Sequence, residues 1–166
     1  NELVADGIVG VKTFTKINED MEANKIVIHK LDLMFNIDIN QDSPNIPDGD
    51  LIIINKDSNT LYHVKNREVL KSYPIATGKD PQYTPEGKFT IVTKFINPTW
   101  GGAGRYKPII GGAPNNPLGK RWMGLSIGGG RVYGIHGNSD KNSIGKYISL
   151  GCIRMFNEDV EALYDL

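Results

Sequence analysis

"LIIINKDSNTLYHVKNREVLKSYPIAT", residues 51–77, is the stretch whose reading decides the fold. Short runs rich in Ile, Leu, Val and Tyr are separated here by "KDSN" and "KNR". Runs of this composition read as strands, and gaps this short allow hairpins but no crossover helix. A β meander is therefore expected, and a parallel α/β sheet is not. Downstream, "KFTIVTKFI" (88–96) continues the texture, with further strands expected near 121–127 and 131–136. Only the chain end turns helical. There Asn157 is a candidate N-cap, Glu158 and Asp159 suit the first turn, and Val160, Leu163 and Tyr164 form an apolar face.

Working upstream, "LVADGIVGVKTFTKINEDM" (3–21) reads as a turn and then a helix over about residues 11–22. Residues 25–37 stay open between two readings: Ile26, Val27 and Ile28 favour a strand, whereas Ile28, Leu31, Met34 and Phe35 fit a helical face. The polar "NIDINQDSPNIPDGD" that follows is a linker by composition. Two parts result: residues 1–49, a helical segment and linker, and residues 50–166, one β-rich domain. The chain opens in mid-pattern at Asn1, which fits a piece of a longer protein, and no signal peptide is visible.

Bulk properties bound the function. Of the 166 residues 39% are hydrophobic and 23% charged, as in a folded globular chain, and the net charge is zero. That balance gives no electrostatic footprint for nucleic acid or an anionic membrane. No apolar run approaches the roughly 20 residues a membrane span needs. One cysteine excludes an internal disulfide framework and a cysteine-rich zinc site. Residues 97–120, "NPTWGGAGRYKPIIGGAPNNPLGK", form a long loop rich in Gly and Pro, whose Trp100 and Tyr106 suggest an ordered lid or wall.

Nucleotide and metal sites can be tested by spacing. Counting back from Gly119-Lys120, the position of the first P-loop glycine holds Pro114, and Arg121 replaces the Ser/Thr. In Gly128-Gly129-Gly130 the third glycine of a dinucleotide fingerprint is replaced by Tyr133. His29, His63 and His136 are scattered, with no HExxH pair, so neither a metal nor a cofactor is expected. His63, in the alternating "LYHVKN", reads as a plain surface or packed residue.

His136 and Cys152 stand apart. A lone cysteine usually packs as a small hydrophobe. Cys152 instead sits among Ser149, Gly151 and Arg154, a setting that permits a sharp turn and puts a cation beside the sulfur, favouring thiolate. His136 lies where a short β run ends in "GNSD", a position from which an imidazole can take a thiol proton. On pattern alone a nucleophilic Cys/His site and a buried sulfur have equal standing.

The motif "IHGN…SIGKYISLGCIRM" closely resembles the signature of the L,D-transpeptidases, the YkuD domain family of bacterial cell-wall enzymes. His136-Gly137 and Ser149-Leu150-Gly151-Cys152-Ile153-Arg154 match it, with Leu150 where many members have histidine. "TPEGKFTI" (84–91), "NPTW" (97–100) and "NNPLGKRWMGL" (115–125) extend the likeness over about residues 50–166. "LVADGIVGVKTFTKIN" is similar to the end of a peptidoglycan-binding repeat. The resemblance implies a mainly β catalytic domain, a curved mixed sheet or sandwich with short helices near the site, followed after Leu166 by a turn and a final strand.

It also implies a reaction: a Cys152 thioester drawn from a peptidoglycan stem tetrapeptide, release of D-alanine, and a 3→3 crosslink to the amine of an acceptor stem. In that scheme His136 is base and acid, the Gly137 carbonyl holds its tautomer, and the N–H groups of Gly151 and Cys152 form the oxyanion hole. Arg154 pairs a substrate carboxylate or braces the loop on a buried acid, and Trp122, Asn138 and Ser149 line the cleft. Carbapenem-type β-lactams are implied inhibitors, and the cell wall, outside the cytoplasm, is the implied location. The same site with water as acceptor is an L,D-carboxypeptidase. A papain-like peptidase has the opposite chain order of Cys and His, and a wall-binding module needs neither residue.

Overall fold

The computed structural model describes residues 27–31, 34–38, 50–66 and 68–166. It divides into two compact units, Asn1–Tyr73 and Pro74–Leu166. The helix expected over residues 11–22 and the linker residues 39–49 lie outside the described residues.

Strands β1 (Val27–Leu31), β2 (Met34–Asp38), β3 (Asp50–Asn55), β4 (Thr60–Lys65) and β5 (Glu68–Pro74) form one sheet in the order β1-β2-β5-β4-β3. β1 and β2 are an antiparallel hairpin, from Val27↔Asp38 to Leu31↔Met34, so the stretch left open at 25–37 is strand over these residues. β3 and β4 pair in full from Asp50↔Lys65 to Asn55↔Thr60. Their turn is fixed by Asn55 Oδ1, which accepts from the N–H groups of Asp57 (3.0 Å) and Ser58 (3.1 Å), the short-range bond that makes Asn a turn residue.

The expected alternation along β4 gives way to four buried residues in succession, Leu61 to Val64. His63 is one of them, and its Nε2 lies 2.7 Å from Asp50 Oδ1 across the hairpin. A histidine buried this way needs such a partner, because an unpaired ring nitrogen would forfeit its hydration.

The second unit holds β6 (Thr77–Gly78), β7 (Ile91–Ile96), β8 (Arg121–Leu125), β9 (Gly134–His136), β10 (Tyr147–Ser149), β11 (Ile153–Arg154) and helix α1 (Asn157–Tyr164). Four strands form a mixed sheet in the order β11-β9-β8-β7, antiparallel except for the parallel pair β9–β11; β10 pairs β6 in parallel. Its core is Ile75, Met123, Ile135, Ile153, Met155 and, from α1, Val160 and Leu163, all buried. Helix α1 packs on β8 and β9. Among the described residues the architecture is thus mainly β with one short α-helix, and no helix is long and apolar enough to cross a membrane.

Two local expectations are corrected here. The strand expected from residue 131 begins at Gly134, because Gly128, Gly129 and Gly130 take left-handed φ of 66 to 75° and turn the chain first. Asn157 is not the cap of α1. Phe156 occupies that position with no side-chain bond, and the Asn157 side chain is used elsewhere.

Candidate active site

Pairing between strands brings the site together. Trp122 on β8 stands opposite His136 on β9, and His136 stands opposite Arg154 on β11. Phe95 on β7 extends the row. Residues in register on neighbouring strands share a face. Cys152, two residues before Arg154, belongs to the same face one step along. These residues line one cavity of about 700 Å³, whose far wall is made by the 98–104 segment with Pro117 and Leu118.

The long Gly/Pro loop is therefore an ordered wall. Buried Asn116 holds it: Nδ2 donates to the carbonyls of Pro98 (2.8 Å), Ile110 (3.1 Å) and Ile109 (3.4 Å), and Oδ1 accepts from Leu118 N–H (2.9 Å). Trp100 and Ile109 exchange two backbone bonds of 2.9 Å, and Trp100 stacks on Tyr106 at 5.9 Å.

His136 is buried, and its Nδ1 lies 2.6 Å from the Gly137 carbonyl oxygen. A carbonyl only accepts, so Nδ1 carries the proton and Nε2 is the basic nitrogen of the neutral ring. Trp122 stacks on that ring at 5.7 Å and 18°, with its own Nε1–H bound to Gly130 O at 2.9 Å. Burial pushes the His136 pKa down to about 4; the Gly137 bond opposes this, and the Arg154 charge adds to it. The imidazole is neutral at pH 7.

Cys152 is half-buried, with Sγ 3.5 Å from Val132 O. The cation beside it was expected to favour thiolate. The balance falls the other way: burial pushes the thiol up, and this outweighs the backbone hydrogen bond from Gly134 and the Arg154 charge, which both pull it down. Thiol and imidazole thus rest as a neutral pair.

The turn before Cys152 requires glycine. Gly151 has φ +131°, and a Cβ there would stand 2.4 Å from Tyr83 O and 2.7 Å from the Tyr133 ring. Ser149 locks the turn, donating to Cys152 O (2.6 Å) and accepting from Gly151 N–H (3.0 Å). Thr84 Oγ1 donates to Gly151 O at 3.1 Å. The Gly151 N–H is thereby engaged, whereas the Cys152 N–H has no acceptor among the described residues. Ser149 borders the cavity, but its hydroxyl serves the turn.

Asn138, expected at the cleft, does not line the cavity. Its side chain turns into its own loop, where Nδ2 donates to Asp140 O and to Ser143 Oγ, and Oδ1 accepts from Asp140 N–H at 3.1 Å. Arg154 does line the cavity, and among the described residues it has no ion-pair partner.

Sequence reasoning missed Asn157. Its Oδ1 accepts from Lys120 N–H (3.1 Å) and Asn138 N–H (3.2 Å), and its Nδ2 donates to Asn138 O (2.9 Å). A Cβ at Gly119 or Gly137 would fall 2.1 or 2.2 Å from that oxygen, so both glycines admit the clamp that holds the loop after His136.

A family model for the L,D-transpeptidase catalytic domain, YkuD, matches residues 49–166. The chain belongs to the YkuD family of L,D-transpeptidase catalytic domains. It is 44% identical over 121 residues to YqjB of Bacillus subtilis (strain 168), covering 72% of this chain and 66% of YqjB. Against YkuD of the same organism the identity is 39% over 121 residues, covering 70% and 62%. The chain thus spans about two thirds or less of the length of these relatives. The fold is similar to the catalytic domain of an Enterococcus faecium L,D-transpeptidase acylated by ertapenem, with a TM-score of 0.54, 22% identity, and coverage of 74% of this chain and 92% of that one.

Proposed function

We propose that this YkuD domain is a cysteine L,D-transpeptidase that forms 3→3 peptidoglycan crosslinks through a Cys152 thioester. The observation that carries the reading is the shared cavity face: Cys152 and His136 line it together, and His136 has its tautomer set by Gly137 O. Cys152 Sγ attacks the carbonyl of the third residue of a donor tetrapeptide as its proton passes to His136 Nε2. The Cys152 N–H meets the oxyanion, an arrangement in which one such donor is typically worth about 3 kcal/mol. Because Gly151 N–H already binds Ser149 Oγ, the two-donor hole read from the sequence is narrowed to one backbone donor.

Collapse breaks the C–N bond, and the D-alanine amine leaves with the proton from His136. The amine of an acceptor stem then attacks the thioester, His136 takes its proton, and the thiol is restored. A neutral resting pair suits this order, because the base must be unprotonated when substrate arrives. Arg154 pairs a carboxylate of the stem, and Trp122 acts by bracing the imidazole rather than by touching substrate.

Site of action follows from substrate: stem peptides lie in the wall, outside the cytoplasm. In this reading the likeness of residues 3–18 to the end of a peptidoglycan-binding repeat marks a wall-directed segment ahead of the catalytic domain, whose family match starts at residue 49. Ertapenem acylates the similar E. faecium domain, and the same thiol chemistry makes Cys152 a target for carbapenems.

The experiment is to incubate purified tetrapeptide stems with the protein and analyse the products by mass spectrometry. Crosslinked dimer with released D-alanine is expected. Free tripeptide alone identifies an L,D-carboxypeptidase, and unchanged tetrapeptide contradicts both, leaving a binding module.

A further inference from the structure

Charge in the cavity is unbalanced. Its lining contains two arginines, Arg131 and Arg154, and no acidic side chain. Among the described residues neither guanidinium has an ion-pair partner, in contrast to Arg121, which meets Glu161 at 3.3 Å and lies over the Tyr164 ring. A cation kept without a counter-ion beside a cavity favours an anionic occupant.

The two arginines border the cavity from different elements. Arg154 follows Cys152 by two residues on β11. Arg131 comes from the turn before β9, where the next residue, Val132, puts its carbonyl oxygen 3.5 Å from Cys152 Sγ. That turn is pinned. Gly130 O accepts from Thr93 Oγ1 (2.8 Å) and Trp122 Nε1 (2.9 Å), and Arg131 N–H donates to Gly128 O (3.3 Å). A Cβ at Gly124 would stand 1.9 Å from Gly130 O, so the turn sits directly on β8. The exposed Arg131 side chain therefore extends from a fixed base at the cavity rim.

We infer that Arg131 is a second carboxylate-binding residue, which makes the cavity select donor stems carrying a free carboxylate in addition to the one Arg154 holds. The inference rests on the peptidoglycan reading and names a specificity within it. Besides the terminal D-alanine carboxylate that every donor carries, two stem carboxylates vary between donors: the one borne on the side chain of the diamino acid at the third residue, and the α-carboxylate of a γ-linked glutamate at the second. Each exists as an acid or as a carboxamide of almost the same shape. A guanidinium separates them, because it pairs with two acceptor oxygens of a carboxylate and is left one donor in excess against an amide.

The test uses Cys152→Ala protein, which holds a stem without turning it over, and its Cys152→Ala/Arg131→Gln counterpart. Calorimetry measures binding of four synthetic tetrapeptides: the double acid, each single amide and the double amide. The glutamine variant is expected to bind the double acid about fivefold more weakly. That loss is expected to vanish when one of the two carboxylates is amidated, which names the partner, and Arg131→Lys is expected to restore part of the affinity. An equal loss on all four peptides, no loss on any, or no binding of the double acid overturns the inference. Arg131-dependent binding by a protein whose wild-type form makes neither dimer nor tripeptide would overturn the enzymatic reading alone.

Discussion

Strand β4 and the parallel pair β9–β11 hold their side chains in opposite ways. β4 has six residues, all registered against β3, and four consecutive buried positions. β9 has three residues and β11 two, joined by two register pairs. Repetition and burial are enough to fix the first. The second is fixed by single polar side chains from elsewhere in the chain: Asn157 on the loop after His136, Ser149 and Thr84 on the turn before Cys152, and Asn116 on the cavity wall. A ladder spreads its load over many equivalent bonds. A frame of individual bonds positions a few atoms closely and can fail at one residue.

The comparison breaks most sharply at His136. His136→Gln is expected to lower kcat/KM by about 10³, within the usual range for a positioned general base, while the circular dichroism spectrum stays unchanged. A loss below tenfold in stem turnover would put the base elsewhere. Next comes Leu61→Ala, which removes a fully buried side chain from β4. It is expected to cost about 3 kcal/mol in denaturant unfolding, with kcat unaltered in the protein that remains folded. A kcat that fell with stability would mean the meander also tunes the site.

A pH dependence should separate the two regions. His136 has an ordinary pKa of 6.5 and a folded value near 4, so the unfolded chain binds the extra proton between those values. Stability from this residue is complete above pH 6.5, declines as pH falls towards 4, and amounts to at most about 3 kcal/mol. His136→Gln should flatten that part of the stability curve, and an unchanged curve would contradict the buried neutral imidazole. The smallest effect is expected at Asn157. Asn157→Ala removes three bonds to the loops around residues 120 and 138, and should cost about 2 kcal/mol and about tenfold in kcat. Asn157→Asp keeps the acceptor and should recover part of both.

The meander was legible because short runs rich in apolar residues, separated by short polar gaps, carry their own meaning. His136 and Cys152 stood out as a spaced pair, and both line the cavity. What stayed hidden depends on contacts between distant residues. Asn157 occupies a capping position by local pattern, yet its partners lie 19 and 37 residues away. Arg154 beside Cys152 suggests a thiolate when only chain neighbours are weighed; the burial that outweighs it comes from the fold around the sulfur. Residues 25–37 fitted both periods, and pairing, as in Val27↔Asp38 and Asn36↔Glu68, makes strands of Val27–Leu31 and Met34–Asp38. Asn138 looked like a cleft residue from its place after His136-Gly137, but a polar side chain in a tight loop satisfies itself locally first.

The most direct test is the intact mass of the protein during turnover of a stem tetrapeptide. The wild type should gain the mass of the tripeptide acyl group, peptide mapping should put it on Cys152, hydroxylamine should remove it, and Cys152→Ala should gain nothing. An adduct on another residue, or stem turnover by Cys152→Ala at the wild-type rate, would contradict the account.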